Sequence, residues 1–322
     1  MKEKILIYTP ISEEGTMKLE ERFTVVTAAP GSGEFNKEIV TATGLIGSSL
    51  KVDRALLERA PFLKVVSNIS VGYDNLDIDE LTRRGILATN TPDVLTETTA
   101  DTIFSLLLAT ARRIPELDQY VKKGNWTGKL SESLFGMDVH GKTLGIIGMG
   151  KIGQAIAKRG RFGFGMDILY HNRSRKPEAE EKLNARYMEL DDLLQQADFV
   201  CLMAPLTAET VHLISAREFK LMKETAIFVN GSRGALVNEA DLVAALKEGR
   251  ILAAGLDVYE KEPLGKNHPF IGLRNVVTLP HIGSATLETR RKMEELAIRN
   301  LIAGLTGEKP PSLINGDGIR GK

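Results

Sequence analysis

Cysteine is nearly absent from this sequence of 322 residues, in which Cys201 is the only one. A single thiol excludes an internal disulfide and a multi-cysteine metal cage. Cys201 lies within the apolar run "FVCLMA", so we expect a buried and inert thiol rather than a reactive one. We predict no metal site.

Apolar runs long enough to cross a membrane are also absent. The strongest run, "IFSLLLATA" at 103–111, is less than half of a bilayer span. The opening "MKEKILIY" lacks the apolar region and the cleavage site of a secretory signal. We therefore expect a cytoplasmic protein with no membrane partner.

Neither sign of charge is in excess, because 42 lysines and arginines balance 42 aspartates and glutamates. Such a chain has no overall positive field with which to gather nucleic acid. The balance therefore favours a small-molecule partner. The length favours two domains, each large enough to bury a core of its own.

The sequence is organised as short apolar runs that alternate with helical patterns, which is typical of an α/β fold with parallel sheets covered by helices on both faces. A long helical pattern from about Thr98 to Lys123, broken near Pro115, separates two such blocks. Another helix is predicted near Ala285 to Leu305. The Gly- and Pro-containing tail beyond it is a candidate for partial disorder.

Three glycines follow one apolar run with the spacing of a dinucleotide-binding loop. Gly148, Gly150 and Gly153 form G-x-G-x-x-G between the predicted strand "TLGIIG" and the predicted helix "KIGQAIAKRG". The first permits a tight turn, the second lets the backbone approach a pyrophosphate, and the third lets the helix pack on the strand. The helix amides then point at the phosphates. We predict a dinucleotide site; the alternative is a purely structural turn.

The next predicted strand ends without the acidic residue that usually binds the ribose of NAD. Instead "HNRSRK" supplies Arg173 as a planar pair of donors, Ser174 as a neutral donor, and Arg175 or Lys176 as additional charge. A carboxylate there would repel a 2′-phosphate, so its replacement predicts that NADPH is preferred and that NADH binds more weakly. The alternative is a solvated basic turn.

Polar residues follow three later strands, at the same predicted sheet edge as the glycine loop. His281 is suited to donate a proton to a carbonyl, and Arg233 to bind a carboxylate through two parallel hydrogen bonds. Glu262, paired with His281, would favour the imidazolium and fix the ring. Each has an alternative: a structural histidine, a surface cation, and a carboxylate paired with Lys261. Their combination on one edge favours catalysis.

These motifs together resemble the D-isomer-specific 2-hydroxyacid dehydrogenases. The likeness lies in "LFGMDVHGKTLGIIGMGKIGQAIAKR", "APLTAET", "NGSRG", "GLDVYEKEP" and "LPHIGSAT", in this order. It implies a catalytic Arg, Glu and His, which are Arg233, Glu262 and His281 here, with Asp257 near the nicotinamide carboxamide. "NGSRG" has serine where alanine is common in the family, but it keeps the arginine.

The resemblance also implies two Rossmann-like doubly wound parallel-sheet domains with an interdomain cleft that holds the active site. The substrate domain would be discontinuous, formed by residues 1–97 and 286–322. The dinucleotide-binding domain would be inserted between them, at 98–285. Many members of the family are dimers that pack through the inserted domain, so we expect a homodimer.

The motifs assign binding residues to cofactor and substrate. The predicted cofactor contacts are Gly148, Met149, Gly150, Lys151, Ile152, Gly153, Asn172, Arg173, Ser174, Pro205, Thr210, Ser232, Asp257 and Gly283. The substrate contacts are Arg233, His281 and the amides of Val71 and Gly72, which correspond to a carboxylate-binding turn of the family. For Gly72 the alternative is an ordinary turn that needs glycine for its φ.

The resemblance narrows the expected activity. An NADP-type second strand and a short chain are most similar to enzymes that reduce glyoxylate, hydroxypyruvate or 2-ketogluconate to the D-2-hydroxy acid. An enzyme similar to D-3-phosphoglycerate dehydrogenase is the first alternative, disfavoured by the absence of an added regulatory domain. A non-catalytic, corepressor-like binding protein is the second.

Overall fold

The computed structural model describes residues 2–319. The chain divides into two compact units. The first unit is formed by the chain up to Leu95 together with the chain from Thr286 on, and the second unit is Thr96–Ala285. Within the described residues no helix is both long and apolar enough to span a membrane.

The first unit is built on a parallel sheet of five strands in the order β2-β1-β3-β4-β5. The strands are β1 (Lys4–Ile7), β2 (Thr24–Thr27), β3 (Gly44–Gly47), β4 (Val65–Asn68) and β5 (Leu87–Thr89). The helices are α1 (Glu13–Glu20), α2 (Gly33–Glu38), α3 (Arg54–Glu58), α4 (Ile78–Arg83), α12 (Leu287–Thr306) and α13 (Gly316–Ile319). This strand order is one of the two common doubly wound arrangements.

Helix α12 supplies part of the core of the first unit. It begins after Thr286, whose side chain accepts a hydrogen bond from the Thr289 N–H, a typical N-cap. Its buried Ala297 and Leu301 pack with Ile5 of the sheet. The late helix predicted from the sequence is therefore present.

The first part of the tail, for which the sequence left order or partial disorder open, is held against the first unit. Leu313 forms an antiparallel bridge with Thr89, and the Ile314 N–H donates to the Ala88 carbonyl at 2.8 Å. The backbone polar groups of this segment are thus satisfied by the edge strand β5. Residues 320–322 of the tail lie outside the described residues.

The second unit is built on a parallel sheet of seven strands in the order β12-β11-β10-β9-β6-β7-β8. The strands are β6 (Thr143–Ile147), β7 (Asp167–His171), β8 (Arg186–Tyr187), β9 (Phe199–Leu202), β10 (Ile227–Asn230), β11 (Ala253–Leu256) and β12 (Val276–Thr278). Renumbered from β6, the first six strands have the order 3-2-1-4-5-6 of dinucleotide-binding sheets. The predicted α/β class with two parallel sheets is confirmed.

The helices of the second unit include the predicted connector. They are α5 (Thr96–Ala111), α6 (Ile114–Lys122), α7 (Lys151–Phe164), α8 (Pro177–Leu183), α9 (Leu190–Gln196), α10 (Ala216–Leu221) and α11 (Glu239–Lys247). The connector breaks as expected, between α5 and α6. Arg113 there has a left-handed φ of 56°, and Pro115 stands in the first turn of α6.

The core of the second unit contains the lone cysteine. Cys201 lies on β9, fully buried, and burial raises the pKa of its thiol to about 12. The thiolate is the reactive form of cysteine, so this thiol is inert near neutral pH. The prediction of a buried, unreactive cysteine is confirmed.

Candidate active site

The glycine loop joins β6 to α7 at the carboxyl edge of the seven-stranded sheet. Gly148 has φ of 102°, and a Cβ there would collide with the backbone of Met203 and Ala204. A Cβ at Gly153 would collide with the Gly148 carbonyl. The first and third glycines are therefore required by the turn and by the packing of helix on strand.

The second glycine differs, because a Cβ at Gly150 would meet nothing within 4 Å. Gly150 is the N-cap of α7 and makes no side-chain cap hydrogen bond. Glycine has no side chain that could cap the helix, so the start of this 14-residue helix faces the open space beside Gly150. This cradle fits a pyrophosphate, whose charge the N-terminal helix amides would stabilise.

The other residues of this loop are predicted cofactor contacts of different kinds. The Met149 side chain is buried in the core, so only its backbone can reach a ligand. Lys151 is exposed and Ile152 is half-buried. The loop therefore offers mainly backbone groups to a cofactor.

The basic segment after β7 carries three of the predicted cofactor contacts. Asn172 donates from Nδ2 to the Ser174 carbonyl at 2.8 Å, which closes a tight turn. Arg173 and Ser174 are exposed at the tip of that turn. The pKa of the Glu209 carboxyl is lowered chiefly by the Thr207 hydroxyl and to a smaller degree by Arg173. The Arg173 charge therefore acts on the 207–209 loop.

Of the two residues expected to add charge to this segment, Arg175 or Lys176, Arg175 is paired within the chain. Its Nε and Nη2 donate to the two oxygens of Glu180, at 3.0 and 2.7 Å. The Tyr170 hydroxyl also donates to Glu180 at 2.6 Å and accepts from the Lys176 N–H at 2.7 Å. Glu180 thus neutralises Arg175 and shapes the turn that presents Arg173.

Pro205, Thr210 and Ser232 lie in loops after β9 and β10. The Thr210 hydroxyl donates to the Pro205 carbonyl and accepts from the Thr207 N–H, both at 2.8 Å. The Ser232 hydroxyl donates to the Ala204 carbonyl. These hydroxyls hold the loops of neighbouring strands together at the carboxyl edge.

Asp257 follows β11 and is almost completely buried. Its two oxygens accept from the Ile282 and Gly283 N–H groups at 2.8 and 2.9 Å. Desolvation raises the pKa of this carboxyl, although the two N–H groups and the His281 charge oppose the shift. Asp257 therefore fixes the segment that directly follows His281.

His281 and Glu262 form the pair that the sequence predicts. Nδ1 of His281 lies 2.8 Å from Oε2 of Glu262, and Oε1 of Glu262 accepts from the Tyr259 N–H at 3.1 Å. His281 has a left-handed φ of 55°, uncommon for a residue other than glycine. Because Nδ1 is engaged by the carboxylate, Nε2 is the ring nitrogen that can exchange a proton with a ligand.

The histidine loop is also held on its other side. The Tyr259 hydroxyl donates to the Leu279 carbonyl at 2.9 Å, and burial raises the pKa of Tyr259 to about 12. Tyr259 therefore stays protonated near neutral pH and keeps its donor. Tyr259, Glu262 and Asp257 together fix the position of His281.

Arg233 follows β10 and is half-buried. Asn230 donates from Nδ2 to the Arg233 carbonyl at 3.0 Å, and Nη1 of Arg233 donates to the Ser232 carbonyl at 2.8 Å. A Cβ on the next residue, Gly234, would collide with the backbone of Tyr259. The loop of Arg233 thus packs directly against the loop of Glu262, and the structure brings the three predicted catalytic residues to one edge.

Two histidines that the sequence left without a role support this edge. His212 lies 3.2 Å from a Glu260 oxygen, and His268 lies 3.2 Å from a Glu239 oxygen. Glu260 and Glu239 each accept a hydrogen bond from the other's backbone N–H, at 3.2 and 2.8 Å. This network ties the residue two before Glu262 to the start of α11. The sequence pattern could not reveal this network, because its residues are far apart in the chain.

In the first unit, Val71 and Gly72 follow β4 and are half-buried. The Val71 carbonyl accepts from Asn90 Nδ2 at 2.8 Å, and the Gly72 carbonyl accepts from Asn68 Nδ2 at 2.9 Å. Within residues 2–319, the N–H groups of Val71 and Gly72 donate no hydrogen bond. Asn68 and Asn90 were missed by the sequence interpretation, although both stand at the ends of strands.

Candidate metal sites were sought among the same residues. In the described part of the chain, no group of three or more His, Cys, Asp or Glu side chains is arranged to hold a metal ion.

Comparison with known proteins identifies the class. The family model described as "D-isomer specific 2-hydroxyacid dehydrogenase, NAD binding domain" matches residues 104–283. The chain belongs to the D-isomer specific 2-hydroxyacid dehydrogenase family, and the predicted resemblance is confirmed. It is therefore an NAD(P)-dependent oxidoreductase.

Individual relatives match nearly the whole chain. It is 52% identical to glyoxylate/hydroxypyruvate reductase B of Escherichia fergusonii over 319 residues, 98% of each chain. The TT0316 protein of Thermus thermophilus is 41% identical, with a TM-score of 0.87 over 97% of this chain and 99% of that one. An NADPH-dependent glyoxylate/hydroxypyruvate reductase of Sinorhizobium meliloti, solved with NADP and malonate, is 33% identical, with a TM-score of 0.88 over 98% and 97%.

Proposed function

We propose that this chain reduces glyoxylate and hydroxypyruvate to the corresponding 2-hydroxy acids, of the D configuration where the product is chiral, with NADPH as the preferred cofactor. The observation that carries the proposal is the His281–Glu262 pair at 2.8 Å, at the same sheet edge as the glycine loop. The names of relatives about 50% identical over the full chain support these two substrates. 2-Ketogluconate is a third candidate.

The chain's own residues account for the proton and for the substrate charge. When bound, the nicotinamide supplies a hydride to the carbonyl carbon. His281, as the imidazolium, donates the Nε2 proton to the carbonyl oxygen, so that C=O becomes CH–OH and the ring is left neutral. Glu262 holds Nδ1 and stabilises the charged ring before the transfer. In the reverse direction neutral His281 is the base.

Arg233 is proposed to bind the carboxylate of the 2-keto acid through its planar pair of donors. Its loop is packed against the loop of Glu262, so a carboxylate on Arg233 would place the neighbouring carbonyl near the acid–base pair. Arg233→Lys should therefore lower kcat/KM for the keto acid, because an ammonium cannot reproduce the two parallel bonds.

The amides of Val71 and Gly72 are proposed as further donors to the substrate carboxylate. Both N–H groups are without an acceptor in the described residues, while their carbonyls are fixed by asparagine side chains. Two adjacent, fixed N–H groups form a concave anion site at low entropic cost.

The preference for NADPH is proposed from the segment after β7. The strand ends in His171, whose Nδ1 lies 3.0 Å from the Met188 carbonyl, so no carboxylate opposes a 2′-phosphate there. Exposed Arg173 and Ser174 offer the donors that a phosphate needs. NADH would bind more weakly because it lacks the group that Arg173 recognises.

A homodimer is proposed from the surface of α6 and the segment after it. Val121, Trp126, Leu130 and Phe135 are exposed there, and 65% of the Trp126 side chain is accessible. A cluster of exposed large apolar side chains marks an interaction surface. A second copy is the expected occupant, by analogy with the family. A cytoplasmic location, expected from the sequence, is kept as part of the proposal.

A substrate screen tests the proposed function. NADPH oxidation would be followed by its absorbance with glyoxylate, hydroxypyruvate, 2-ketogluconate, pyruvate and 3-phosphohydroxypyruvate. Turnover should be highest with glyoxylate or hydroxypyruvate. Turnover only with 3-phosphohydroxypyruvate would indicate the phosphoglycerate dehydrogenase alternative, and no turnover with any of these keto acids would contradict the proposal.

A further inference from the structure

The proposed carboxylate-binding turn, Ser70–Gly72, is oriented through its carbonyl groups. The Ser70 carbonyl accepts from the Thr91 N–H and the Val71 carbonyl from Asn90 Nδ2, both at 2.8 Å. In a planar trans peptide the C=O of one residue and the N–H of the next point in opposite directions. Fixing these two carbonyls therefore directs the Val71 and Gly72 N–H groups away from the scaffold.

Asn90 is in turn held by a closed ring of hydrogen bonds. Asn300 Nδ2 donates to the Asn90 carbonyl at 3.0 Å, and the Ser312 N–H donates to Asn300 Oδ1 at 2.9 Å. The Asn90 N–H completes the ring by donating to the Ser312 carbonyl at 3.4 Å. Asn300 is fully buried on α12 and uses both ends of its amide in this ring.

An apolar side chain at position 300 would leave the Asn90 carbonyl and the Ser312 N–H without this partner, which is costly for buried groups. The ring thus fixes the position of Asn90 as well as that of the tail. Among the described residues, the side-chain hydrogen bond that leaves this ring runs from Asn90 to the carbonyl of Val71.

We infer that Asn300 is a positioning residue for the substrate carboxylate, acting through Asn90 on the amides of Val71 and Gly72. The inference rests on the proposed function. Asn300 touches neither substrate nor cofactor in this account; it fixes the residue that fixes the turn. Displacement of a binding group by a fraction of an ångström is enough to weaken a directional contact.

The competing explanation is that Asn300 only fastens the tail to the first unit. Asn315 provides a matched control, because it is also a buried asparagine that joins the tail to β5. Its Oδ1 accepts from the Ala88 N–H and its Nδ2 donates to the Ile86 carbonyl, both at 2.9 Å. Asn315 has no hydrogen bond to the Ser70–Gly72 turn among the described residues.

The test compares Asn300→Ala, Asn90→Ala, the double variant and Asn315→Ala in the full chain. For each, kcat and KM for hydroxypyruvate, the NADPH Kd and Tm would be measured. We expect KM to rise roughly tenfold in Asn300→Ala and Asn90→Ala, about the effect of one charge-assisted hydrogen bond. The double variant should be no worse than the more affected single, because both act through one connection. NADPH Kd should stay within about twofold in all four.

Asn315→Ala should lower Tm while leaving KM at the wild-type value. An equal rise of KM in Asn315→Ala, or no rise in Asn300→Ala, would overturn the inference. If Asn300→Ala does not fold, Asn90→Ala serves as the test, because Asn90 is only half-buried. An unchanged KM in Asn90→Ala would also overturn the inference. Wild-type protein without turnover on any 2-keto acid would instead overturn the proposed function itself.

Discussion

The helix that follows the first strand begins differently in the two units. At the start of α1, Ser12 caps the helix by accepting from the Gly15 N–H, and its own N–H donates to the Glu294 carboxylate at 3.0 Å. At the start of α7, Gly150 offers no side-chain cap and leaves open space. The N-terminus of α1 carries a carboxylate of the chain itself, whereas the N-terminus of α7 is the one proposed to receive the pyrophosphate of the cofactor.

A doubly wound sheet does not by itself define a function. Both units have parallel strands and a helix directly after the first strand, yet among the described residues the His281–Glu262 pair lies at the edge of the seven-stranded sheet, beside the glycine loop. The edge of the five-stranded sheet offers backbone donors instead, at Val71 and Gly72. Proton transfer and cofactor binding are therefore proposed for the edge of the seven-stranded sheet.

The largest expected effect removes the acid of the second unit. His281→Asn should lower kcat by roughly a hundredfold or more, because no other group in the account supplies the proton. NADPH binding, followed by fluorescence titration, should be nearly unchanged. A near-wild-type kcat in this variant would remove His281 from the mechanism.

The next effect concerns the 2′-phosphate. Arg173→Ala should weaken NADPH by roughly one to two powers of ten and leave NADH almost unaffected, as expected for the loss of a hydrogen bond to a charged group. Raised salt should reduce the affinity for NADPH more than that for NADH. The measurement is kcat/KM for both cofactors at two ionic strengths.

Arg175→Ala is the control for that variant, because Glu180 already holds this guanidinium. Its loss should affect the ratio of the two cofactors much less. Equal losses for NADPH and NADH in Arg173→Ala would mean that Arg173 is a solvated surface cation.

The proposed difference between the N-termini of α1 and α7 can be tested at Gly150, the second glycine of the loop. A methyl group at Gly150 would enter the space left for the pyrophosphate, so Gly150→Ala should weaken NADPH and NADH alike by roughly tenfold. Gly163→Ala, on the exposed side of α7, also meets nothing within 4 Å and is the matched control. Equal affinities of the two variants, measured by titration calorimetry, would contradict the assignment of the cradle.

The smallest expected effect is at Glu262. In Glu262→Gln an amide replaces the carboxylate that lies 2.8 Å from His281 Nδ1, so the ring keeps a neighbour but loses a charged acceptor. The kcat of reduction, measured at saturating hydroxypyruvate, should fall by a few fold while NADPH binding stays nearly unchanged. A kcat equal to that of wild type would mean that the 2.8 Å contact does not position the ring.

Much of the fold was predictable because its signals are local. Alternating apolar runs predicted the parallel sheets, and the spacing of Gly148, Gly150 and Gly153 predicted the turn that the structure contains. The convergence of Arg233, Glu262 and His281 followed from the rule that the carboxyl ends of parallel strands share one edge.

The features that the sequence did not reveal depend on contacts between segments that are far apart in the chain or on a segment that folds back on the preceding one. The sequence suggested that the Arg175 charge is available to a ligand, because the local pattern does not show that Glu180, in the first turn of α8, contacts Arg175. The ring of Asn90 and Asn300 joins residues 210 positions apart. The order of the tail likewise depends on an edge strand that the local sequence does not specify.

Hydride transfer from labelled cofactor to hydroxypyruvate tests the central claim most directly. NADPH carrying deuterium on either face of nicotinamide C4 would be supplied with the wild-type protein, and the glycerate formed would be examined by NMR and by chiral chromatography. We expect deuterium at C2 of D-glycerate from one labelled face only, with the yield lost in His281→Asn. Glycerate without deuterium at C2 from either face, or glycerate of the L configuration, would contradict it.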